Sequence, residues 1–232
     1  MPANDSLIVL AAGRGRRMGK KIPKMLLPLC GRPLLYWTLS NLERSAQIRS
    51  VVLAVPSAYR SRIEKNLARW KIRKVFAVVP GGKERTDSTR NALRALPRET
   101  EWVGIHDAAR PFVTPDQIKK VYRAARRTGC ACLAVPSKDT VKLARARGPV
   151  IEKTIPRDRC WLAQTPQVFR RDIAEKIHRS SSGSRFSDDA SIAESLGYEV
   201  VLVPGSYENL KITTPEDLRM AEHILKSRRA MR

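Results

Sequence analysis

The chain has 232 residues, 42% of them hydrophobic and 29% charged, a balance that supports a folded core and argues against disorder. Lys and Arg number 45 against 22 Asp and Glu, a net charge of +23 that steers anions and draws nucleic acid non-specifically. The Met-Pro-Ala-Asn-Asp-Ser start holds no signal-peptide core and no apolar run reaches membrane-spanning length, so a cytoplasmic protein with no membrane partner is expected.

Leu7–Ala11 is predicted as the first strand. It runs into a glycine-rich turn, Gly13-Arg-Gly15-Arg-Arg17-Met-Gly19-Lys-Lys-Ile-Pro23-Lys24, and from Arg14 to Arg32 there are seven Lys or Arg residues and no acid. Like charges at that density repel, and a polyanion would offset the repulsion. Glycines after a strand point to phosphates approached by bare backbone. Two familiar phosphate motifs fail on spacing. Met18 stands where a dinucleotide fingerprint needs glycine or alanine, and only three residues separate Gly15 from Gly19 where a P-loop needs four. A cation-rich phosphate loop of another type remains, beside the plainer alternative of a tight turn with solvated arginines.

Pro33–Ser45 has helical spacing, followed by a strand at Val51–Val55, a helix at Ala58–Trp70 and a strand at Val75–Val79. Gly81-Gly82-Lys-Glu-Arg85-Thr-Asp-Ser88 comes next. Paired glycines let backbone approach a flat ligand such as a base, with a plain turn and helix cap as the alternative; Ser88–Leu96 has helical spacing and Ser88 could cap that helix. Trp102–Ile105 is the fourth predicted strand, closed by His106-Asp107-Ala-Ala-Arg110-Pro111. An acid at the carboxyl end of a parallel strand suits a metal ion or a ribose hydroxyl, and Arg110 could grip a phosphate. A salt-bridged helix start is the alternative there, and His106 is expected to be structural. Pro115–Thr128 reads as a helix with Thr114 as N-cap, and Pro33 and Pro115 suit first-turn positions.

Ala131–Val135 and Glu199–Val203 are the last predicted strands. Cys130-Ala-Cys132 lacks the spacer of a metal or redox pair, and the four cysteines are expected to be free thiols in a reducing compartment. Lys138–Leu143 and Val150–Ile155 form a predicted β-hairpin arm with little core-facing hydrophobicity, which suggests packing on something else, such as a partner subunit. Ser180–Ser184 reads as a flexible loop. Three polar stretches interrupt regions built for packing: Lys138-Asp139-Thr140, Gln164-Thr165-Pro166-Gln167 and Glu208-Asn209-Leu-Lys211-Ile-Thr213. With no repeats and no linker, residues 1–232 are expected to form one α/β domain. It would be a doubly wound, mostly parallel sheet with ligands at the strands' carboxyl ends, and 137–159 would be a protruding arm.

Taken in order, these segments closely resemble the 2-C-methyl-D-erythritol 4-phosphate cytidylyltransferases, from Leu10 to about Ala221. The resemblance rests on Ala11-Ala-Gly-Arg-Gly-Arg-Arg-Met18, Pro23-Lys24, Gly81-Gly82 with Arg85 and Ser88, and His106-Asp-Ala-Ala-Arg-Pro111. It continues through Asp139-Thr140, Arg157, Thr165-Pro-Gln167, Asp188-Asp-Ala-Ser191 and Asn209-Leu-Lys-Ile-Thr213. It implies a Rossmann-like nucleotidyltransferase that moves CMP from CTP to methylerythritol phosphate with Mg2+ or another divalent cation. It further implies that Arg17 and Lys24 stabilise the transition state and that Arg157 and Lys211 position the sugar phosphate. Ala11, Ala12, Gly13, Gly82, Arg85 and Ser88 would hold the nucleotide, and Asp107 would face ribose and metal. Arg110, Thr140, Thr165 and Ser187 would join the second-substrate pocket, Ser187 standing where the family usually has threonine. The family is homodimeric, and the arm would lend Thr140 and Arg157 to the neighbour's site. Ribitol- or other polyol-phosphate cytidylyltransferases share several of these elements but tend to have Ala-Gly-Gly and Asp-Ser-Val-Arg where this chain has Ala-Ala-Gly and Asp-Ala-Ala-Arg. A basic nucleic-acid-binding module is the alternative of another class; no stacking motif or reading helix supports it.

Overall fold

A computed structural model describes residues 4–13, 22–180 and 186–230. Arg17 and the rest of 14–21 lie outside the described residues, as does most of the predicted loop at Ser180–Ser184. Strand β1, Asp5–Leu10, is followed by the short strands β2, Pro28–Leu29, and β3, Arg32–Pro33, and by helix α1, Leu34–Glu43. Then come β4 (Ser50–Val55), α2 (Arg60–Arg69), β5 (Val75–Pro80), α3 (Arg85–Arg94), β6 (Trp102–Asp107), α4 (Pro115–Thr128) and β7 (Cys130–Pro136). Strands β8 (Val141–Ala144) and β9 (Ile151–Ile155) pair with each other, antiparallel, and with no other strand among the described residues. The rest comprises β10 (Trp161–Arg170), α5 (Arg171–Ser180), α6 (Asp189–Ser195), β11 (Val201–Pro204) and α7 (Pro215–Ala230).

Seven strands form one sheet in the order β11-β7-β10-β6-β1-β4-β5. Every neighbour pair is parallel except those made by β10, which runs antiparallel to β6 and to β7. The chain winds outward from β1 to β4 and β5, then returns to the far side of β1 as β6. That reversal makes the carboxyl ends of β1 and β6 the switch point, where such sheets bind ligands.

Alternation decides the layers. Leu7 and Val9 face α1, α2 and α4, whereas Ile8 faces α3, α5 and α6 with Val52, Val103 and Ile105. Both faces are covered, which is why the strands read as continuous apolar runs rather than as alternating ones. A third cluster of Leu29, Leu34, Phe112, Ile212 and Leu225 docks α7 beside β2 and the start of α1.

The predicted strands and helices reappear with shifted ends, and Thr114 caps α4 as expected, its hydroxyl accepting from the Gln117 amide at 3.2 Å. Two expectations are corrected. Helix α3 starts at Arg85, not Ser88: Glu84 is the N-cap, its amide donating to Asp87 Oδ2 at 3.1 Å, so Ser88 lies inside the first turn. Pro33 is itself the residue before α1 rather than part of its first turn. Strand β10 and helices α5, α6 and α7 were not foreseen. Two glutamines and a proline obscure β10; a break in its register with β7, between Ala163 and Gln167, accommodates the cis Thr165–Pro166 step. Cys130 and Cys132 are buried on β7, where burial pushes their thiols up to about 11 and about 12, so they stay protonated and inert.

Candidate active site

The strand ends are tied together just beyond the sheet. The Ala11 amide donates to Ala54 O at 2.8 Å, Gly81 to Val55 O at 2.7 Å and Ala108 to Leu10 O at 3.1 Å. These bonds set the floor of a cavity of about 730 Å3. Nine sequence-predicted residues line it: Ala11, Ala12, Gly13, Lys24, Gly82, Arg85, Ser88, Asp107 and Lys211. Lys24 reaches it from a single 3-10 turn, Lys24–Leu26, anchored by buried Met25.

The paired glycines have a packing reason as well as the expected ligand-facing one. A Cβ on Gly81 would overlap Ala12 Cβ, and one on Gly82 would overlap Asp87. The Gly82 amide then donates to Ser88 Oγ at 3.0 Å, while that hydroxyl donates to Glu84 O at 3.1 Å. Ser88 therefore fastens the turn to α3.

A row of alternating charges crosses the cavity floor. Lys211 Nζ lies 2.7 Å from Asp107 Oδ2, and Arg85 Nε lies 3.7 Å from Asp107 Oδ1. The other end of the Arg85 guanidinium, Nη2, sits 2.6 Å from Asp189 Oδ2. Burial alone would raise the Asp107 pKa, but Arg85 and Lys211 more than offset it and hold the carboxyl below its usual range. Burial likewise works against the Arg85 charge, and Asp189 outweighs it.

Behind this floor runs a buried relay with one consistent set of donors. The Asp107 amide donates to Thr165 Oγ1 at 3.0 Å, leaving that hydroxyl to donate to His106 Nδ1 at 2.9 Å. His106 Nε2 then donates to Arg110 O at 3.1 Å. The neutral Nε2-protonated imidazole satisfies all three contacts, and burial depresses the His106 pKa to about 4. We expect Thr165→Val, which removes the middle of the relay at constant shape, to cost about 1–3 kcal/mol in stability. Chemical denaturation checks it, and a loss below 0.5 kcal/mol, roughly the floor for a single hydrogen bond, would contradict the relay.

Five candidates do not line the cavity. Arg110 is buried, its guanidinium donating to Asn209 O at 2.7 Å and to Ala163 O at 3.3 Å. Thr165 is buried in the relay. Ser187 is exposed beside α6, and Thr140 and Arg157 are exposed at the base of the β8–β9 arm, where Arg157 Nη1 donates to Lys138 O at 3.2 Å. Arg17 lies outside the described residues.

Other residues support the site without having been singled out. Asn209 Nδ2 donates to Gln164 Oε1 and to Thr165 O, both at 3.1 Å, which ties the strand carrying Thr165 to the segment carrying Lys211. Gln167 clamps the start of α6, donating to Asp188 Oδ2 at 2.7 Å and accepting from the Ala190 amide at 2.9 Å. Buried Asp189 follows, with His178 Nε2 3.2 Å from its Oδ1. The polar stretches carrying Gln164, Gln167 and Asn209 were visible in sequence. His178 was not, since it falls on the apolar side of α5 with Ile173, Ala174 and Ile177.

Among the described residues no three His, Cys, Asp or Glu side chains come together as a metal cage. Two carboxylate residues line the cavity, Glu84 and Asp107; Asp107, at the end of β6, suits a hard cation that takes most of its oxygens from phosphates and water. Among the same residues no helix is long and apolar enough to cross a membrane.

The sequence profile of the 2-C-methyl-D-erythritol 4-phosphate cytidylyltransferases matches residues 6–227. A protein of that name from Pelotomaculum thermopropionicum is 46% identical over 224 residues, covering 95% of this chain and 94% of the relative. One of the same name from Geobacillus kaustophilus is 45% identical, covering 98% and 99%. Among solved structures, the 4-diphosphocytidyl-2C-methyl-D-erythritol synthase of Anaerococcus prevotii superposes with a TM-score of 0.85 at 29% identity, covering 97% of this chain and 100% of that one. The 2-C-methyl-D-erythritol 4-phosphate cytidylyltransferase of Thermus thermophilus gives 0.76 at 32%, covering 95% and 98%.

Proposed function

The chain belongs to the 2-C-methyl-D-erythritol 4-phosphate cytidylyltransferase family, and from this premise we infer that the cavity is where CTP meets the sugar phosphate. The protein is a nucleotidyltransferase that moves CMP from CTP to 2-C-methyl-D-erythritol 4-phosphate. It yields 4-diphosphocytidyl-2-C-methyl-D-erythritol and pyrophosphate in isoprenoid biosynthesis. The observation that carries the site assignment is the charge row at the β1–β6 switch, with Ala11–Gly13 on one side and Gly82–Ser88 on the other.

The sugar phosphate is already an anionic nucleophile at neutral pH, so no general base is needed. One of its oxygens bonds to the α-phosphorus of CTP as the bond to pyrophosphate breaks. The barrier is repulsion between two anions, and positioned cations lower it. Lys24 and Lys211 line the cavity from separate segments, and we assign them to the α-phosphate and the sugar phosphate respectively; Arg17 is assigned with Lys24 to the transition state. Ala11, Ala12, Gly13, Gly82, Arg85 and Ser88 form the nucleotide's walls. Asp107 would hold ribose and a divalent cation such as Mg2+. That cation, when bound, would neutralise triphosphate charge.

The arm supports a homodimer. Val150, Ile151 and Leu162 are each more than half exposed, apolar side chains on and beside a two-stranded sheet that hydrogen-bonds to no other strand among the described residues. Thr140 and Arg157 lie outside the cavity of their own chain, which accords with their serving a partner's site together with Arg110, Thr165 and Ser187. Residues 137–159 would then be a dimerisation arm on a single 1–232 domain in the cytoplasm. Ile151→Lys should convert dimer to monomer by light scattering and remove activity; a monomeric wild type would end the dimer reading.

Pyrophosphate release tests the function. The expected result is release with CTP, Mg2+ and methylerythritol phosphate, and slower release with ribitol phosphate. No release with the first substrate, or faster release with the second, would overturn it.

A further inference from the structure

Asp189 and His178 are charged or ionisable groups buried next to the cavity, and nothing in the transfer reaction described above employs them. Asp189 is 0% exposed and sits at the first turn of α6, directed there by the Gln167 clamp on Asp188 and Ala190. Among the described residues its carboxylate pairs with Arg85 Nη2 at 2.6 Å and His178 Nε2 at 3.2 Å. Arg85 is the first residue of α3, the helix that follows Gly82 and carries Ser88, and its Nε lies 3.7 Å from Asp107. The guanidinium is thus stretched between a carboxylate on the cavity floor and one behind it.

A buried ion pair adds little net stability, because desolvation consumes much of its Coulomb gain. A site that needed only packing here would be served as well by apolar side chains. What Asp189 does provide is direction. Without it, Asp107 is the one carboxylate within 4 Å of Arg85 among the described residues, with Asp188 acting from farther off, and the guanidinium would lean toward the group assigned to ribose and metal. The α3 wall would then shift relative to β6.

We propose that Asp189, backed by His178, is a positioning residue for nucleotide binding, holding Arg85 so that the Gly82–Ser88 wall and Asp107 keep their spacing. The proposal rests on the reading of this cavity as the CTP site. It makes Asp189 act only through Arg85, and a general structural role would not.

The test is CTP affinity by calorimetry without second substrate, with melting temperature measured in parallel, for wild type, D189N, R85Q, the R85Q/D189N double variant and H178Q. D189N should weaken CTP binding by about tenfold, with turnover at saturating CTP within about threefold of wild type. The R85Q/D189N double variant, which leaves neither charge buried alone, should bind no more weakly than R85Q. H178Q should weaken binding in the wild-type background and leave it unchanged in R85Q, which decides the matter if D189N does not fold. Wild-type CTP affinity in folded D189N, or a further loss when D189N or H178Q is added to R85Q, would overturn the proposal. A wild type that binds no CTP and releases no pyrophosphate would instead defeat the reading of the site itself.

Discussion

Lys24→Ala lowers the turnover number for pyrophosphate release by about 100- to 1,000-fold, the usual cost (~3–4 kcal/mol) of losing one group aimed at charge that develops in a transition state. The fold should survive, since the turn that carries Lys24 is held by other means. Met25 and Leu27 are buried beside it, and the Leu26 amide donates to Pro23 O at 2.9 Å. CTP affinity should fall far less than turnover, because charge at the α-phosphate grows only as the new bond forms. Lys24→Arg keeps the charge and should recover part of the rate. Lys211→Ala should be comparably slow and should free Asp107 from its 2.7 Å partner, so its KM for the sugar phosphate should rise as well. Rapid-quench single-turnover measurements separate the chemical step from product release. A Lys24→Ala enzyme turning over within threefold of wild type would remove Lys24 from the chemistry.

Acid should weaken the protein through His106, by about 3 kcal/mol between pH 6.5 and pH 4. The direction follows from which state binds the proton. In the unfolded chain His106 protonates below its ordinary value of 6.5, whereas in the folded protein burial delays protonation to about 4. Across that window the unfolded state gains protons that the folded state refuses, so stability falls as pH falls and then levels. Both ring nitrogens are engaged, one donating to Arg110 O and one accepting from Thr165, so a proton added at Nδ1 breaks the relay that holds Asp107. Urea unfolding at pH 7, 5.5 and 4 measures this. His106→Gln should flatten the dependence across the window, and an unchanged slope in that variant would assign the acid sensitivity to other groups.

Much of the architecture was legible before any tertiary contact was known. Runs such as Leu7–Ala11 and Val51–Val55, alternating with helical spacing, required a parallel sheet covered on both faces, because only such a sheet buries both sides of a strand. Glycine-rich turns after strands marked where ligands could approach, and nine predicted residues from separate segments do meet in one cavity. β10 was hidden for a local reason: its centre, Gln164-Thr165-Pro166-Gln167, has the composition of a loop and becomes a strand only between β6 and β7.

The order of these motifs by itself determined the family, the fold class and the supply of cations around a phosphate site. The tertiary structure decided which polar groups face the cavity and which hold it in shape. Thr165 and Arg110 looked like ligand contacts, yet Thr165 bridges the Asp107 amide and His106, and Arg110 donates to Asn209 O and Ala163 O while its buried Nε has no hydrogen-bond partner among the described residues. Arg85 belongs to both groups, since it lines the cavity while anchored from behind by Asp189. Local spacing cannot carry that distinction. Burial and pairing arise from segments far apart in the chain, and a polar residue in a packed region is tolerated only where one of those segments brings it a partner.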